Sequence, residues 1–155
     1  MARGTRASDT IFMVRRAMFD TIGWFHRVFE PAYWEDTDLC DAAWKRGWSS
    51  YYIPTAECWH RVSSTAKALP SDFKQRMMEQ HHTIFYLANI GTWRGVREHL
   101  AYLLRLTWER IRKGDKRWHW PFGVLVRRLL PLMRLRMQRR RVALLSDDEV
   151  LARAR

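Results

Sequence analysis

The chain has 155 residues, with 28 Lys/Arg against 16 Asp/Glu, so its formal charge is +12. Apolar residues make up 47% and aromatics 14%, with nine Trp, seven Gly and five Pro, which excludes disordered, collagen-like and low-complexity classes. The charge is uneven: Arg94 to Arg141 holds 15 Lys/Arg and three acids, and the rest of the chain is neutral. This asymmetry points to an anionic partner surface, either a membrane or a nucleic acid.

The opening Met-Ala-Arg-Gly-Thr-Arg lacks the apolar stretch of a secretory signal, and none is expected. Thr10–Val14 is β-prone, and Ala17–Ile22 reads as a short helix closed by Gly23. Phe25–Trp34, with Pro31 and four aromatics, reads as a loop. Asp36–Arg46 reads as a helix with Leu39, Cys40, Ala43 and Trp44 on one stripe, stopped by Gly47. Trp48–Ile53 reads as a strand broken by Pro54, Ala56–His60 as a second extended piece, and Ser63-Ser64-Thr65 as loop.

Residues 70–113 have the spacing of a helical hairpin. Phe73, Met77, Ile84, Phe85 and Ala88 mark its first helix, and Asn89 and Gly91 punctuate it. Thr92 caps the second, in which Val96, Leu100, Leu103, Leu104, Thr107, Trp108 and Ile111 form the apolar stripe. Pro121 suits the first turn of a third long helix, and Pro131 is expected to kink it. There Leu125, Val126, Leu129, Leu130, Met133 and Met137 share an arc of about 140°, with Arg127, Arg128 and Arg134 opposite and Arg136 breaking the pattern. Ser146-Asp147-Asp148-Glu149 reads as the capped first turn of a last helix. No apolar run approaches the ~18 residues needed to span a bilayer. Cys40 and Cys58 are the only cysteines, which fits a reducing compartment.

The densest acidic cluster, Glu35-Asp36-Thr37-Asp38, follows Tyr33-Trp34 at a helix start. Acids there suit the helix dipole and can cap it. Aromatic neighbours can also exclude water and raise a carboxyl pKa towards that of a general base. His60 follows Asp36 by 24 residues, with a helix and a strand between that could return it to the same edge.

Taken together, Met13-Val14-Arg15-Arg16, Phe19, Gly23, Phe25, Tyr33-Trp34-Glu35-Asp36-Thr37-Asp38-Leu39-Cys40, Gly47-Trp48, Tyr52-x-Pro54 and His60 form an ordered set. Over roughly residues 8–65 that set resembles the C-terminal half of family 2 glycosyltransferases, nearest to bacterial rhamnosyltransferase-like enzymes. The resemblance implies an α/β fold: a partial GT-A-type, Rossmann-like acceptor-side half (1–66). A helical hairpin (67–115) and a basic amphipathic helical tail (116–155) then form a mainly helical C-terminal extension.

It also implies sugar transfer from a nucleotide-sugar donor to a saccharide or lipid-linked acceptor of the cell envelope. Asp36 matches the catalytic base. Glu35, flanked by Trp34 and Asp38, matches the acceptor side. His60 matches a residue near the diphosphate that can ligate a divalent metal, Mg or Mn. The family's Gly-Phe-Asp-Glu is here Trp24-Phe25-His26-Arg27, and Ala42 stands where an Arg is common. No Asp-x-Asp precedes Asp36. The resulting expectation is an acceptor-side half, inactive by itself, whose nucleotide-binding half comes from further sequence or a partner chain.

For the basic tail, Trp118, Trp120, Arg127, Arg128 and Arg134 are expected to face an anionic membrane surface, placing the protein at the cytoplasmic face of the bacterial plasma membrane. Solvated packing on the core, a non-catalytic interaction module and single-stranded nucleic-acid binding are the competing readings. No nucleic-acid motif accompanies the patch, so no nucleic acid is expected.

Overall fold

The computed structural model describes residues 2–3, 12–57, 59 and 69–153, with side chains 2–3 and 124–127 left aside. Helices dominate: α1 (Arg16–Ile22), α2 (Glu35–Trp44), α3 (Ser71–Asn89), α4 (Trp93–Arg112), α5 (Gly123–Val142) and α6 (Asp147–Arg153). Two 3-10 turns, Arg27–Phe29 and Lys116–Phe122, lie between them.

The expected strands shrink. Among the described residues the only sheet pairs β1 (Ala2–Arg3) with β2 (Tyr51–Tyr52), antiparallel, Ala2 opposite Tyr52. Phe12–Val14 is irregular rather than extended into a strand, and Trp48–Ser50 and Ile53 fall outside β2. A strand persists only where a neighbour takes up its backbone groups, and here only two residues do so. The described part is thus mainly helical and only loosely compatible with a partial GT-A fold. Cys58, His60 and the loop at 63–65 lie outside the described residues.

The helices follow the sequence closely. Gly23 and Gly47 adopt φ of +82° and +85° just beyond α1 and α2, a conformation that costs other residues a Cβ clash. Thr92 Oγ1 accepts from the Gly95 amide at 3.2 Å, capping α4. Ser146 and Glu149 cap α6 reciprocally: Ser146 N donates to Glu149 Oε2 at 2.7 Å, and Glu149 N donates to Ser146 Oγ at 3.3 Å.

Two cores form. Val28, Phe29, Ile84, Phe85, Ala88, Leu132 and Leu135 bury the contact of α3, α5 and the first 3-10 turn. Met18, Leu39 and Ala43 bury α1 on α2, with Phe12, Phe19, Ile22 and Trp48 around them. Cys40 is a buried free thiol.

Helix α5 is turned by about 100° from the orientation its apolar arc predicts. Leu129, Leu130, Met133 and Met137 are exposed, while Leu132 and Leu135 are buried. Arg128, Arg136 and Arg139 lie on the buried side, within an arc of about 100° that includes both leucines. The reason is a set of carbonyls and a carboxylate that need donors. Helix α3 leaves its last carbonyls open, as every helix does. Arg136 donates to Leu87 O, Lys45 Nζ to Asn89 O, and Arg140 to Gly91 O at 3.3 Å. Arg128 reaches Val28 O at 2.5 Å. Cations also suit the negative end of the α3 dipole. The expected kink is present, with Arg128 at φ −126°, ψ 16°, three residues before Pro131.

Lys45 ties the far end of the molecule together. It is buried, pairs with Asp41 at 3.0 Å and Asp147 at 2.9 Å, and its carbonyl accepts from the Leu144 and Leu145 amides. Asp147 Oδ2 accepts in turn from Gly91 N at 2.7 Å and Thr92 N at 3.2 Å. No described helix is long and apolar enough to cross a membrane.

Candidate functional site at the start of α2

The acidic turn is entered through two left-handed residues, Tyr33 (φ 74°) and Trp34 (φ 72°). Neither is glycine, and αL backbone is costly for bulky side chains. The surroundings hold it in place. His81 Nδ1 lies 2.8 Å from Ala32 O and 3.1 Å from Tyr33 O. Both oxygens only accept, so Nδ1 carries the proton. Burial lowers the His81 pKa, keeping the ring neutral. The Trp34 indole meets His82 edge-on at 4.8 Å and Phe85 at 5.3 Å.

From Trp34 the chain turns directly into α2: Asp38 N donates to Trp34 O at 2.9 Å. Glu35, Asp36 and Asp38 then occupy the first turn, at the positive end of the helix. Their environments differ sharply. Asp36 is half-buried, and its Oδ1 accepts from the Thr37 amide at 2.6 Å and the Thr37 hydroxyl at 3.3 Å. Glu35 is half-buried as well, but its Oε2 is fully enclosed and has no hydrogen-bond partner. Burial, and secondarily the charge of Asp36, push the Glu35 carboxyl pKa up.

Asp38 is 1% exposed and turns into the core. Arg139 donates to its Oδ2 at 2.6 Å and Asn89 Nδ2 to its Oδ1 at 2.7 Å. Its carboxylate therefore joins α2 to α3 and α5, and both oxygens are engaged. That geometry does not suit the acceptor-side placement expected for it. His26, inside the Trp24–Arg27 stretch, lies close enough to feel Asp38 and Arg139, and burial lowers its pKa. Its Nδ1 accepts from Val28 N at 3.2 Å and so caps the first 3-10 turn.

His60 lies outside the described residues, so its distance from Asp36 is not part of the geometry. Among the described residues no three His, Cys, Asp or Glu side chains converge on one point. Glu35 and Asp36 offer oxygen donors of the kind Mg or Mn takes, but two neighbouring carboxylates are an incomplete set.

Of the residues expected at a membrane, Trp118 and Arg134 are exposed and Trp120 is half-buried. Trp120 has Arg117 5.7 Å from its ring centroid, and its carbonyl accepts from Gln80. Arg128 is turned inward onto Val28 O and is not available to a surface. The Arg127 side chain is outside the described set.

Sequence reasoning passed over the groups that hold the turn: His81, His82, Asn89 and Arg139. The adjacent imidazoles offered a signal, since consecutive helical positions diverge by about 100° and so serve two different neighbours. His82 joins a ring cluster with Tyr86, His99 and Tyr102. Trp34, His82, Tyr102 and Pro121 help line a shallow pocket of about 140 Å³ between α3, α4 and the second 3-10 turn.

Over part of its length the chain is similar to a glycosyltransferase. It is 36% identical over 92 residues to the N-acetylglucosaminyl-diphospho-decaprenol L-rhamnosyltransferase of Mycobacterium tuberculosis, in strains CDC 1551 / Oshkosh and ATCC 25618 / H37Rv alike. The match covers 56% of this chain and 28% of the relative. No family model matches the chain, and no solved structure matches it.

Proposed function

We propose that the chain supplies the acceptor side of a sugar-transfer centre, with Asp36 as the general base. The observation that carries this reading is the carboxylate pair at the head of α2, presented by a left-handed Tyr33-Trp34 turn that two histidines and Phe85 hold in place. A backbone of that kind is kept where a geometry matters. The similarity to a rhamnosyltransferase supports the same class of chemistry.

In this reading the Asp36 carboxylate takes the proton of an acceptor hydroxyl. The freed oxygen pair forms the bond to the anomeric carbon of a nucleotide-sugar. The bond from that carbon to the diphosphate breaks, and the nucleoside diphosphate leaves with the electron pair. Glu35 and Trp34 line the acceptor side, and Trp34 gives a flat apolar face for a sugar ring. Asp38 holds α2 in register through Arg139 and Asn89. A divalent metal would supply charge neutralisation at the diphosphate, and His60 would be its ligand from this chain. The donor half comes from further sequence or a partner chain. The acceptor is a saccharide or lipid-linked saccharide, and the protein works at the cytoplasmic face of the membrane.

A second reading makes Glu35 the base, because its enclosed, partnerless Oε2 and raised pKa are what a proton acceptor near neutrality needs. One experiment addresses both. The chain is co-expressed with the donor-side part of the mycobacterial relative, and sugar transfer is followed with a panel of nucleotide-sugars. Transfer that falls by about 10²–10⁴-fold in Asp36→Asn, and less in Glu35→Gln, supports the first reading. The reverse order supports the second. Undiminished transfer in both variants overturns the assignment.

A further inference from the structure

Helix α4 carries an apolar face that the rest of the described molecule does not cover. Trp93, Leu100, Leu104, Trp108 and Ile111 fall within an arc of about 80°. All five are exposed, Trp93 by 72%, Leu104 by 68% and Trp108 by 62%. The opposite side makes the intramolecular contacts: His99 and Leu103 are buried, and Arg110 forms a bidentate pair with Glu79 at 2.7 Å. The sequence stripe therefore divides. Leu103 goes to the core, and the larger part points outward.

We propose that this face of α4 is a membrane-interfacial helix that lies in the plane of an anionic phospholipid bilayer. Three observations favour lipid over other occupants. Its length suits a surface: Trp93 to Ile111 spans roughly 27 Å at about 1.5 Å per residue, and no described helix can cross a bilayer. Its residues suit the interface. Trp93 opens the helix and Trp108 lies in its penultimate turn, so an amphipathic ring sits towards each end of an aliphatic middle. Its charge is complementary to acidic headgroups. The helix holds five Arg and two Glu: exposed Arg94, Arg105 and Arg112 flank one side of the stripe, Arg97 lies within its arc, and Arg94 and Arg105 are paired with Glu98 and Glu109.

The same charge disfavours a second copy, since two molecules of +12 would have to meet arginine rim to arginine rim. The aliphatic stripe disfavours nucleic acid, because Leu and Ile offer nothing to a phosphate. The inference rests on exposure and charge, not on sugar transfer, so vesicle binding and transfer can fail separately.

The test is flotation of the purified chain with vesicles of phosphatidylcholine alone or of equimolar phosphatidylglycerol and phosphatidylcholine. The wild type is expected to float with the anionic vesicles at least about tenfold more than with the neutral ones. Leu104→Ser/Trp108→Ser is expected to lose at least about tenfold of that partition with an unchanged circular-dichroism spectrum. Arg97→Ala/Arg112→Ala, which touches no buried group, is expected to lose the preference for phosphatidylglycerol. A wild type that stays at the bottom of the gradient with anionic vesicles overturns the proposal. So does flotation of both variants equal to wild type, or binding to a short RNA but not to vesicles. A dimer in sedimentation equilibrium that Leu104→Ser/Trp108→Ser dissolves would assign the face to self-association instead.

Discussion

Replacing Arg139 by Ala removes one partner of a buried pair and leaves the other. Asp38 is 1% exposed and would keep only Asn89 as a donor. Breaking such a pair from one side costs about 3–5 kcal/mol, most of it for the stranded charge. With a urea m-value of about 2 kcal/mol per molar for a domain of this size, the unfolding midpoint falls by about 1.5–2.5 M. Exposed Arg94–Glu98 is the control. It has nearly the same N–O distance, 2.8 Å against 2.6 Å, but side chains 83% and 64% exposed. Arg94→Ala should therefore leave the midpoint nearly unchanged. A third variant separates charge from packing. Arg139 Nε is buried without an acceptor, so the native pair carries an uncompensated group of its own. Asp38→Leu/Arg139→Met strands no charge and should cost less than Arg139→Ala, about 1–3 kcal/mol for the Asn89 amide left without its acceptor. The assay is equilibrium urea unfolding followed by tryptophan fluorescence. Equal midpoints for Arg139→Ala and Arg94→Ala would refute the placement of Asp38 and Arg139 as a buried pair.

Three further outcomes are expected. His99 is buried against Tyr86 at 4.5 Å, and burial, then the neighbouring His82, lower its pKa to about 4. The unfolded chain takes up its proton first, so the stability this neutral ring contributes is lost as pH falls from 6.5 to about 4. His99→Phe should flatten that part of a urea-midpoint profile against pH. Glu35 has the opposite chemistry: its raised pKa means that the native state binds more protons than the unfolded one above pH 4.5, so stability falls as pH rises through that window. Glu35→Gln should remove the fall and stabilise the protein at neutral pH, read by the same titration. Gly95→Ala places a Cβ 2.4 Å from Ile90 Cγ2, a stiff β-branched neighbour. It should cost about 1–3 kcal/mol by thermal unfolding despite the better helix propensity of Ala.

The helices were legible because their signals are local. Gly23, Gly47, Thr92 and the Ser146–Glu149 box each act within a few residues of their own position, and each stands where the sequence placed it. The carboxylate turn was legible as a cluster, but the fates of its members were not. Asp36 and Asp38 are two residues apart and read alike, yet Asp38 is decided by Arg139, 101 residues away. The orientation of α5 was hidden for the same reason. Periodicity sets Arg128 opposite the apolar arc and leaves Arg136 as an exception to it, whereas Arg128, Arg136 and Arg139 bury their stems and bring donors to Val28 O, Leu87 O and Asp38. The strands were overread because aromatic content at Trp48–Ile53 reports propensity, and a strand also needs a neighbour.

The cluster around Lys45 joins residues that are far apart in the order of synthesis. Asp41 and Lys45 leave the ribosome about a hundred residues before Asp147, and at roughly 5–20 residues per second that is about 5–20 seconds. Until Asp147 is made, the Lys45 ammonium and, once they are made, the amides of Gly91 and Thr92 lack that carboxylate. Helix α6, capped by its own Ser146–Glu149 box, closes the corner between α3 and α4 through Asp147. A stop codon that removes only the segment from Ser146 onward would spare both hydrophobic cores, yet leave the corner unlatched.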